Sequence, residues 1–339
     1  MNTFIRVVIG AFAVAAAMST GAKAPSPEVS IPNTRRIDFV SKVNDRPYSI
    51  TVALPFTPPP ANGYPVLYVL DGDGYFATAT EAVRANGNAP DVVVVGIGYQ
   101  HTPAFIEHTL SKHRALPASR ASVPPFYAAL TYARMYDLTP PTGAQALTEF
   151  NATGLGVTQA ETGGLDNFLK TIETEIKPRV AALAHVDKSN QVLFGHSLGG
   201  SATLHALFTE PGAFRTFIAA SPSIWWADRR LLADEAKFTT QVTAGTVTPR
   251  VLITVGAEEQ DPPKLPPDMA AAKAQLTALT LKARMVDNAR ELASRLKSLH
   301  GAKGYEVADI AIFPHQAHGI SAWPAIGQAV SFAFPQPGE

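Results

Sequence analysis

The chain has 339 residues with 28 basic and 28 acidic side chains, so its formal net charge is zero. The balanced charge argues against a nucleic-acid-binding surface, and the absence of cysteine excludes disulfide bonds, thiolate metal ligands and a cysteine nucleophile. Hydrophobic residues make up 46% of the chain and charged residues 17%. These values are typical of a globular protein and argue against bulk disorder or a coiled coil.

Residues 1–24 have the layout of a secretory signal peptide. Arg6 precedes an apolar run of 12 residues from Val7 to Met18, and small residues follow it. The run is shorter than the roughly 20 residues that a membrane-spanning helix needs. Cleavage after Ala24 fits the pattern, with cleavage after Ala22 and an uncleaved anchor as alternatives. We therefore expect a periplasmic or secreted protein with no stable membrane insertion.

The residues after position 35 predict an α/β fold. Apolar and polar residues alternate over 36–43 and 48–54, which predicts an antiparallel hairpin. Short apolar runs typical of buried parallel strands follow at 66–70, 92–97, 191–194, 217–220, 251–255 and 307–313. Helical patterns occur at 166–183, 198–209, 268–299 and 322–334. This alternation predicts a single domain over residues 25–339, with a mostly parallel central sheet and helices on both faces.

Residues 101–162 fit this alternation poorly. Six prolines are scattered among aromatic residues there, at positions 103, 117, 124, 125, 140 and 141. A long irregular insertion in a compact domain is often a lid or a binding loop. The sequence leaves open whether this insertion is a lid or an ordinary surface excursion.

The strongest functional signal is Gly195-His196-Ser197-Leu198-Gly199, which matches the G-x-S-x-G nucleophile elbow. An apolar strand ends just before the motif, and a helix-compatible run begins just after it. This strand–turn–helix setting is the one that exposes a serine hydroxyl above the edge of a sheet. The motif therefore predicts Ser197 as a nucleophile, with a purely structural glycine-rich turn as the alternative.

A serine hydroxyl needs a base, and the base needs a carboxylate that orients it. In an α/β-hydrolase the chain order is serine, acid, histidine. Two histidines follow the last predicted strand, and we favour His318 over His315 because it stands before a glycine and a helix. The acid should follow the strand at 251–255, where Glu259 is preferred and Asp261 and Glu258 are alternatives.

The negative oxygen of the reaction intermediate needs two backbone donors. One donor should be the amide of Leu198, directly after the nucleophile. The other should come from the loop after the strand at 66–70, where we expect the amide of Asp73, with Gly72 as second choice. A simple Gly-Asp turn without this role is the alternative.

Several motifs in this order resemble the "Putative esterase" family of α/β-hydrolases, which includes siderophore (enterobactin-type trilactone) esterases, esterase D-like proteins and mycolyltransferases. The resemblance rests on the segments at 66–72, 134–140, 163–164, 195–200, 221–226, 255–260 and 313–319. It implies an α/β-hydrolase fold with Ser197, Glu259 and His318 as the catalytic triad. It also implies that the loop with Trp225 and Trp226 lies near the active site.

Three further side chains are candidates for substrate binding. Trp225 and Trp226 suit a flat apolar or aromatic group, or else core packing. Arg134 suits an anionic substrate, or else a structural pair with Asp137.

These features predict a serine esterase that acts on a small-molecule ester and needs no metal or organic cofactor. Siderophore-type lactones are among the candidate substrates. An acyltransferase on the same triad and a non-catalytic binding protein of the same fold are the alternatives.

Overall fold

The computed structural model describes residues 30–87, 90–111, 124–151, 157–264 and 270–336. The predicted signal peptide at 1–24 lies outside the described residues, as do two stretches of the 101–162 insertion. The signal peptide and the lid therefore stay predictions.

A nine-stranded sheet forms the centre of the protein. Its strands are β1 Thr34–Val40, β2 Pro47–Ala53, β3 Tyr64–Val69, β4 Val93–Tyr99, β5 Val186–His196, β6 Thr216–Ala220, β7 Arg250–Gly256, β8 Glu306–Val307 and β9 Ala311–Phe313. The spatial order is β1-β2-β4-β3-β5-β6-β7-β8, and β9 pairs with β7. Strand β2 is antiparallel to both β1 and β4, and all other pairs are parallel. The predicted hairpin and mostly parallel sheet are confirmed.

Helices connect the strands and pack against the sheet. They are α1 Gly72–Arg84, α2 Pro103–Ser111, α3 Pro125–Asp137, α4 Ala144–Asn151, α5 Leu165–Thr171, α6 Lys177–Leu183, α7 Leu198–Thr209, α8 Trp226–Arg229, α9 Glu235–Thr243, α10 Ala270–Ala283, α11 Met285–Lys297 and α12 Ala322–Ala333. A π-helical segment, Ile172–Ile176, joins α5 to α6, and short 3₁₀ turns lie at Gln159–Glu161 and Arg230–Asp234. Among the described residues, no helix is both long and apolar enough to cross a membrane.

Two predicted elements are each interrupted in the structure. The strand predicted at 307–313 divides into β8 and β9. Val307 pairs with Val251 and Ala311 pairs with Thr254, so this segment has one more residue between the two pairs than β7 has. One extra residue therefore breaks the ladder, as in a β-bulge. The helix predicted at 268–299 ends at Ala283 and restarts after Arg284, which has a left-handed backbone with φ 44°.

The insertion is more regular than its prolines suggested. Helices α2 and α3 begin at Pro103 and Pro125, and α4 lies within the same stretch. Proline fits the first position of a helix because the amide it lacks would have no helical acceptor there. Two of the prolines thus start helices, and the prediction that this segment is irregular was wrong for most of its described residues.

The carboxyl ends of three central strands meet at one edge of the sheet. His196 of β5 pairs with Ala220 of β6, and Ala220 pairs with Thr254 of β7. Strands β3 to β6 are buried on both faces apart from the amino-terminal half of β5. This buried framework fixes the positions of the loops that leave its carboxyl edge.

Candidate active site

The turn between β5 and α7 consists of one residue, Ser197, since β5 ends at His196 and α7 begins at Leu198. The backbone of Ser197 has φ 61° and ψ −120°, a conformation that residues other than glycine rarely adopt. A Cβ on Gly195 would lie 2.1 Å from the carbonyl oxygen of Gly199. Only glycine therefore allows the strand and the helix to approach this closely, and the turn holds the Ser197 hydroxyl at the edge of the sheet.

Hydrogen bonds join three side chains from distant parts of the chain at this edge. His318 Nε2 lies 2.9 Å from Ser197 Oγ, and His318 Nδ1 lies 2.6 Å from Glu259 Oε2. An ionised carboxylate only accepts hydrogen bonds, so Nδ1 carries the proton and Nε2 accepts from the serine hydroxyl. The structure thus brings Ser197, His318 and Glu259 together in the arrangement that activates a serine nucleophile.

The Glu259 side chain is fully buried, although the residue lies in the loop after β7. Its backbone amide donates to the carbonyl of Gly256 at 3.2 Å, which closes a tight turn at the end of the strand. Burial raises the pKa of Glu259, but hydrogen bonds from His318, Ser221 and the Gly256 amide outweigh burial and hold that pKa below its ordinary value. Glu259 is therefore an anion at neutral pH, facing His318.

The alternative acids and the alternative histidine make other contacts or lie exposed. Glu258 forms an ion pair with Lys264 at 3.0 Å, and Asp261 is exposed. The His315 side chain is 92% exposed, with Nδ1 3.8 Å from Glu258.

The predicted backbone donors lie in the first turns of two helices. Leu198 begins α7, and Gly72 and Asp73 begin α1. Amides in a first turn have no acceptor within their own helix and carry the positive end of the helix dipole. Asp73 lines the same cavity as Ser197, with a volume of about 440 Å³, whereas Gly72 does not. We refer to this space as the nucleophile cavity.

Arg134 lines the nucleophile cavity and is anchored by Asp71. Its Nε donates to Asp71 Oδ1 at 2.7 Å, and a terminal nitrogen donates to Oδ2 at 2.8 Å. The predicted alternative pair with Asp137 is wrong, because Asp137 is fully buried and held by Arg46 at 3.0 Å and by the hydroxyl of Tyr99 at 2.9 Å. A fixed ion pair of Arg134 and Asp71 therefore lines the nucleophile cavity.

The two tryptophans line neighbouring cavities. Trp226 is buried, donates from its indole nitrogen to Thr142 Oγ1 at 3.1 Å, and lines a cavity of about 230 Å³ together with Ser223. Ser223 Oγ lies 3.5 Å from Ser197 Oγ, so this second cavity adjoins Ser197. Trp225 lines a third cavity beside α8. Contact between either tryptophan and a substrate stays a prediction.

Aromatic side chains that the sequence analysis did not select form much of the wall of the nucleophile cavity. The Trp323 side chain is half-exposed and lies edge-on to Tyr75, with 5.4 Å between the ring centroids. Tyr99 and Tyr127 line the same space. These residues come from four separate elements, so no local pattern in the sequence marks them as neighbours.

His196 is a second histidine beside His318, and the elbow motif contains it without indicating a role. Its ring centroid lies 4.9 Å from that of His318, and its Nδ1 lies 3.1 Å from the hydroxyl of Tyr75. Burial, and next the charge of His318, lower the pKa of His196 to about 3. His196 is therefore neutral at physiological pH. Within the described part of the chain, no group of three or more acidic or histidine side chains is arranged to hold a metal ion.

Comparisons with known proteins identify relatives over nearly the whole chain. The "Putative esterase" family profile matches residues 134–301. The chain is 33% identical over 311 residues to the ferri-bacillibactin esterase BesA of Bacillus subtilis, covering 90% of each protein. It is 30% identical over 282 residues to a siderophore triacetylfusarinine C esterase of Aspergillus fumigatus, covering 80% of this chain and 84% of that one. The solved structure of the siderophore hydrolase EstA from Aspergillus nidulans superposes with a TM-score of 0.70 at 27% identity, covering 91% of this chain and 98% of the other.

Proposed function

The chain belongs to the "Putative esterase" family and is a carboxylic ester hydrolase. On this premise we propose that it cleaves siderophore-type esters and that the reaction passes through an acyl-enzyme on Ser197. One observation carries the mechanism: His318 lies 2.9 Å from the serine hydroxyl and 2.6 Å from the buried carboxylate of Glu259. This is the geometry in which an imidazole takes the serine proton.

In the first half of the reaction, Ser197 Oγ attacks the ester carbonyl carbon while its proton passes to His318 Nε2. Glu259 holds the imidazole in the required tautomer and stabilises the imidazolium that forms. The carbonyl oxygen becomes an anion, to which the amides of Leu198 and Asp73 donate from two helix amino termini. The intermediate then collapses, and His318 gives its proton to the departing alcohol.

In the second half, water replaces the alcohol. His318 takes a proton from this water, which attacks the acyl carbon on Ser197, and the carboxylic acid leaves as the serine regains its proton. The groups of this chain suffice for each proton transfer.

The walls of the nucleophile cavity support a substrate with flat rings. Tyr75, Tyr127 and Trp323 provide aromatic surface, and the Arg134 cation is paired with the Asp71 carboxylate, which lines the same cavity. Relatives whose names specify siderophore ester substrates match along most of the chain. We therefore assign acyl groups and alcohols of siderophore esters to this cavity and to the adjoining cavity beside Trp226.

Ser197→Ala tests the mechanism. The variant should fold like the wild type but lose at least about a thousandfold in kcat for a p-nitrophenyl ester and for an enterobactin-type trilactone, because the nucleophile is removed. Ser298→Ala, an exposed serine at the end of α11, is the matched control and should retain full activity. Retained turnover or retained fluorophosphonate labelling in Ser197→Ala would exclude Ser197 as the nucleophile.

We also propose that the enzyme acts outside the cytoplasm. The support is the sequence of positions 1–24, in which a basic residue is followed by an apolar run and then by small residues. Fractionation of the source cells, followed by amino-terminal sequencing, should find a mature chain that begins near residue 25. Full-length enzyme confined to the cytoplasm would contradict this proposal.

A further inference from the structure

A connected group of buried polar side chains lies behind Glu259 and His318. Ser221 Oγ donates to Glu259 Oε1 at 2.5 Å and lies 2.8 Å from Ser321 Oγ. Ser321 Oγ in turn lies 2.9 Å from the backbone carbonyl oxygen of His318 and 3.3 Å from His196 Nε2. Ser221 and Ser321 are both completely buried. We call these two serines the hydroxyl bridge.

The proton donors of this group can be assigned one by one. The carboxylate of Glu259 only accepts, so the single proton of Ser221 points to Glu259. The single proton of Ser321 then goes to Ser221 or to the carbonyl oxygen of His318. In either case Ser321 must accept at its contact with His196, so His196 carries its proton on Nε2.

The other nitrogen of His196 completes the order. Nδ1 of this neutral ring is an acceptor, and Tyr75 OH, 3.1 Å away, is its donor. Tyr75 therefore donates to His196, His196 donates to Ser321, and Ser221 donates to the carboxylate of Glu259.

From this arrangement we propose that Ser221 and Ser321 are positioning residues of the active site, acting through Glu259 and His318 rather than on the substrate. The inference rests on the proposed function, since it concerns the same serine, histidine and acid. Ser221 and the Gly256 amide, 2.7 Å away, occupy Oε1 of Glu259 and leave Oε2 for His318. Ser321 Oγ contacts both Ser221 Oγ and the carbonyl oxygen of His318, so it links the backbone of His318 to Ser221.

The backbone conformation of Ser221 supports a functional role for the hydroxyl bridge. Ser221 has φ 43°, a left-handed conformation that costs free energy in a residue other than glycine. Its amide nevertheless donates to the carbonyl of Thr254 at 2.7 Å, so the neighbouring strand holds the residue in place. Strained residues that the surrounding structure enforces are concentrated at active sites. Here the enforced conformation accompanies a hydroxyl directed at the carboxylate.

The first test compares kcat and KM for Ser221→Ala and Ser321→Ala with a p-nitrophenyl ester. Ser221→Ala should lose about 10- to 100-fold in kcat, the range expected for a hydrogen bond to a buried charge. Ser321→Ala should lose about 2- to 10-fold, the range expected for a hydrogen bond between neutral groups, and KM should stay within about twofold in both variants. Ser41→Ala is the matched control, because buried Ser41 also donates to a buried glutamate, Glu175, at 3.3 Å. The control should unfold at lower urea concentration but keep its kcat.

The second test places Ser221→Ala in a Glu259→Gln background. If Ser221 acts by holding the Glu259 carboxylate, Ser221→Ala should lower kcat by less than about twofold in the Glu259→Gln background, where the charge is gone. The effects of the two substitutions on kcat should therefore be strongly non-additive. An equal loss of kcat in both backgrounds would overturn the proposal and make Ser221 a merely structural residue. Unchanged kcat in Ser221→Ala and Ser321→Ala would also overturn it.

A third measurement does not depend on activity. In protein labelled with ¹⁵N-histidine, the ring of His196, assigned from a His196→Gln variant, should be neutral with its proton on Nε2 at pH 7. A proton on Nδ1 or a charged ring would overturn the donor order. If instead Ser197→Ala retained activity while His196 showed the expected tautomer, the proposed function would fail and the hydrogen-bond order would stand.

Discussion

Replacing Gly195 by alanine probes how closely strand β5 and helix α7 must pack for catalysis. The new Cβ would lie 2.1 Å from the carbonyl oxygen and 2.3 Å from the carbonyl carbon of Gly199, and 2.8 Å from Thr203 Oγ1. The first two contacts are to backbone, so no side chain can rotate away. The start of α7 must therefore move by roughly 1 Å, and Ser197 with it, a displacement that typically costs about 100-fold in rate.

The same collision lowers the free energy of unfolding. Overpacking of a buried site costs about 1–3 kcal/mol, and Gly195 is buried between strand and helix. Urea unfolding at neutral pH should therefore show a lower midpoint for Gly195→Ala, together with the loss of kcat.

Gly327→Ala is the control for the change from glycine to alanine. Gly327 is exposed in α12, and a Cβ there meets nothing within 4 Å. Because alanine favours a helix, the control should gain about 0.5–1 kcal/mol in stability with unchanged kcat. A Gly195→Ala enzyme with kcat within twofold of the wild type would refute the argument that this contact fixes the position of Ser197.

Three further outcomes are expected. Arg134→Met should destabilise the fold by about 1–2 kcal/mol, because it leaves the partly exposed carboxylate of Asp71 without its partner. Asp71→Asn in the same chain should restore part of this loss in urea unfolding. Burial lowers the pKa of His196 in the folded protein to about 3, below its ordinary 6.5, so His196 becomes protonated in the unfolded chain first as the pH falls. Between pH 7 and pH 5, this residue should therefore lower the free energy of unfolding by about 2 kcal/mol. His196→Asn should lose that part of the pH dependence, and an unchanged dependence would contradict the assignment. Trp226→Phe should cost about 1 kcal/mol through the lost hydrogen bond to Thr142, and a thermal unfolding midpoint equal to that of the wild type would argue against that bond.

The parts of the fold that were predictable have local causes. Short apolar runs bounded by turn residues identify buried strands such as β6 and β7, because a parallel sheet covered on both faces needs apolar residues at every position. The elbow motif is local as well, since a tight turn needs glycine near Ser197. The break at Arg284 and the extra residue between β8 and β9 were missed because neither changes the hydrophobic pattern.

The partners of charged and polar side chains were less predictable. Arg134 and Asp137 are three residues apart on one helix, and that spacing suggested a pair, yet Arg134 bonds to Asp71, 63 positions earlier. Glu258 and Glu259 are adjacent, but Glu259 is the one that bonds to His318, whereas Glu258 pairs with Lys264. Such choices depend on how loops from different strands meet, which no spacing in the chain encodes.

The sequence by itself determined the α/β class, the position of the tight turn at Ser197, and the small set of histidines and carboxylates that could lie beside it, because these depend on periodicity and on local backbone geometry. Only the tertiary structure decided which of those residues meet, which aromatic side chains line the nucleophile cavity, and that Ser221 and Ser321 join Glu259 to the backbone of His318. The physical reason is that hydrogen bonds act over about 3 Å in space. The parallel sheet brings together, at one edge, loops that lie far apart along the chain.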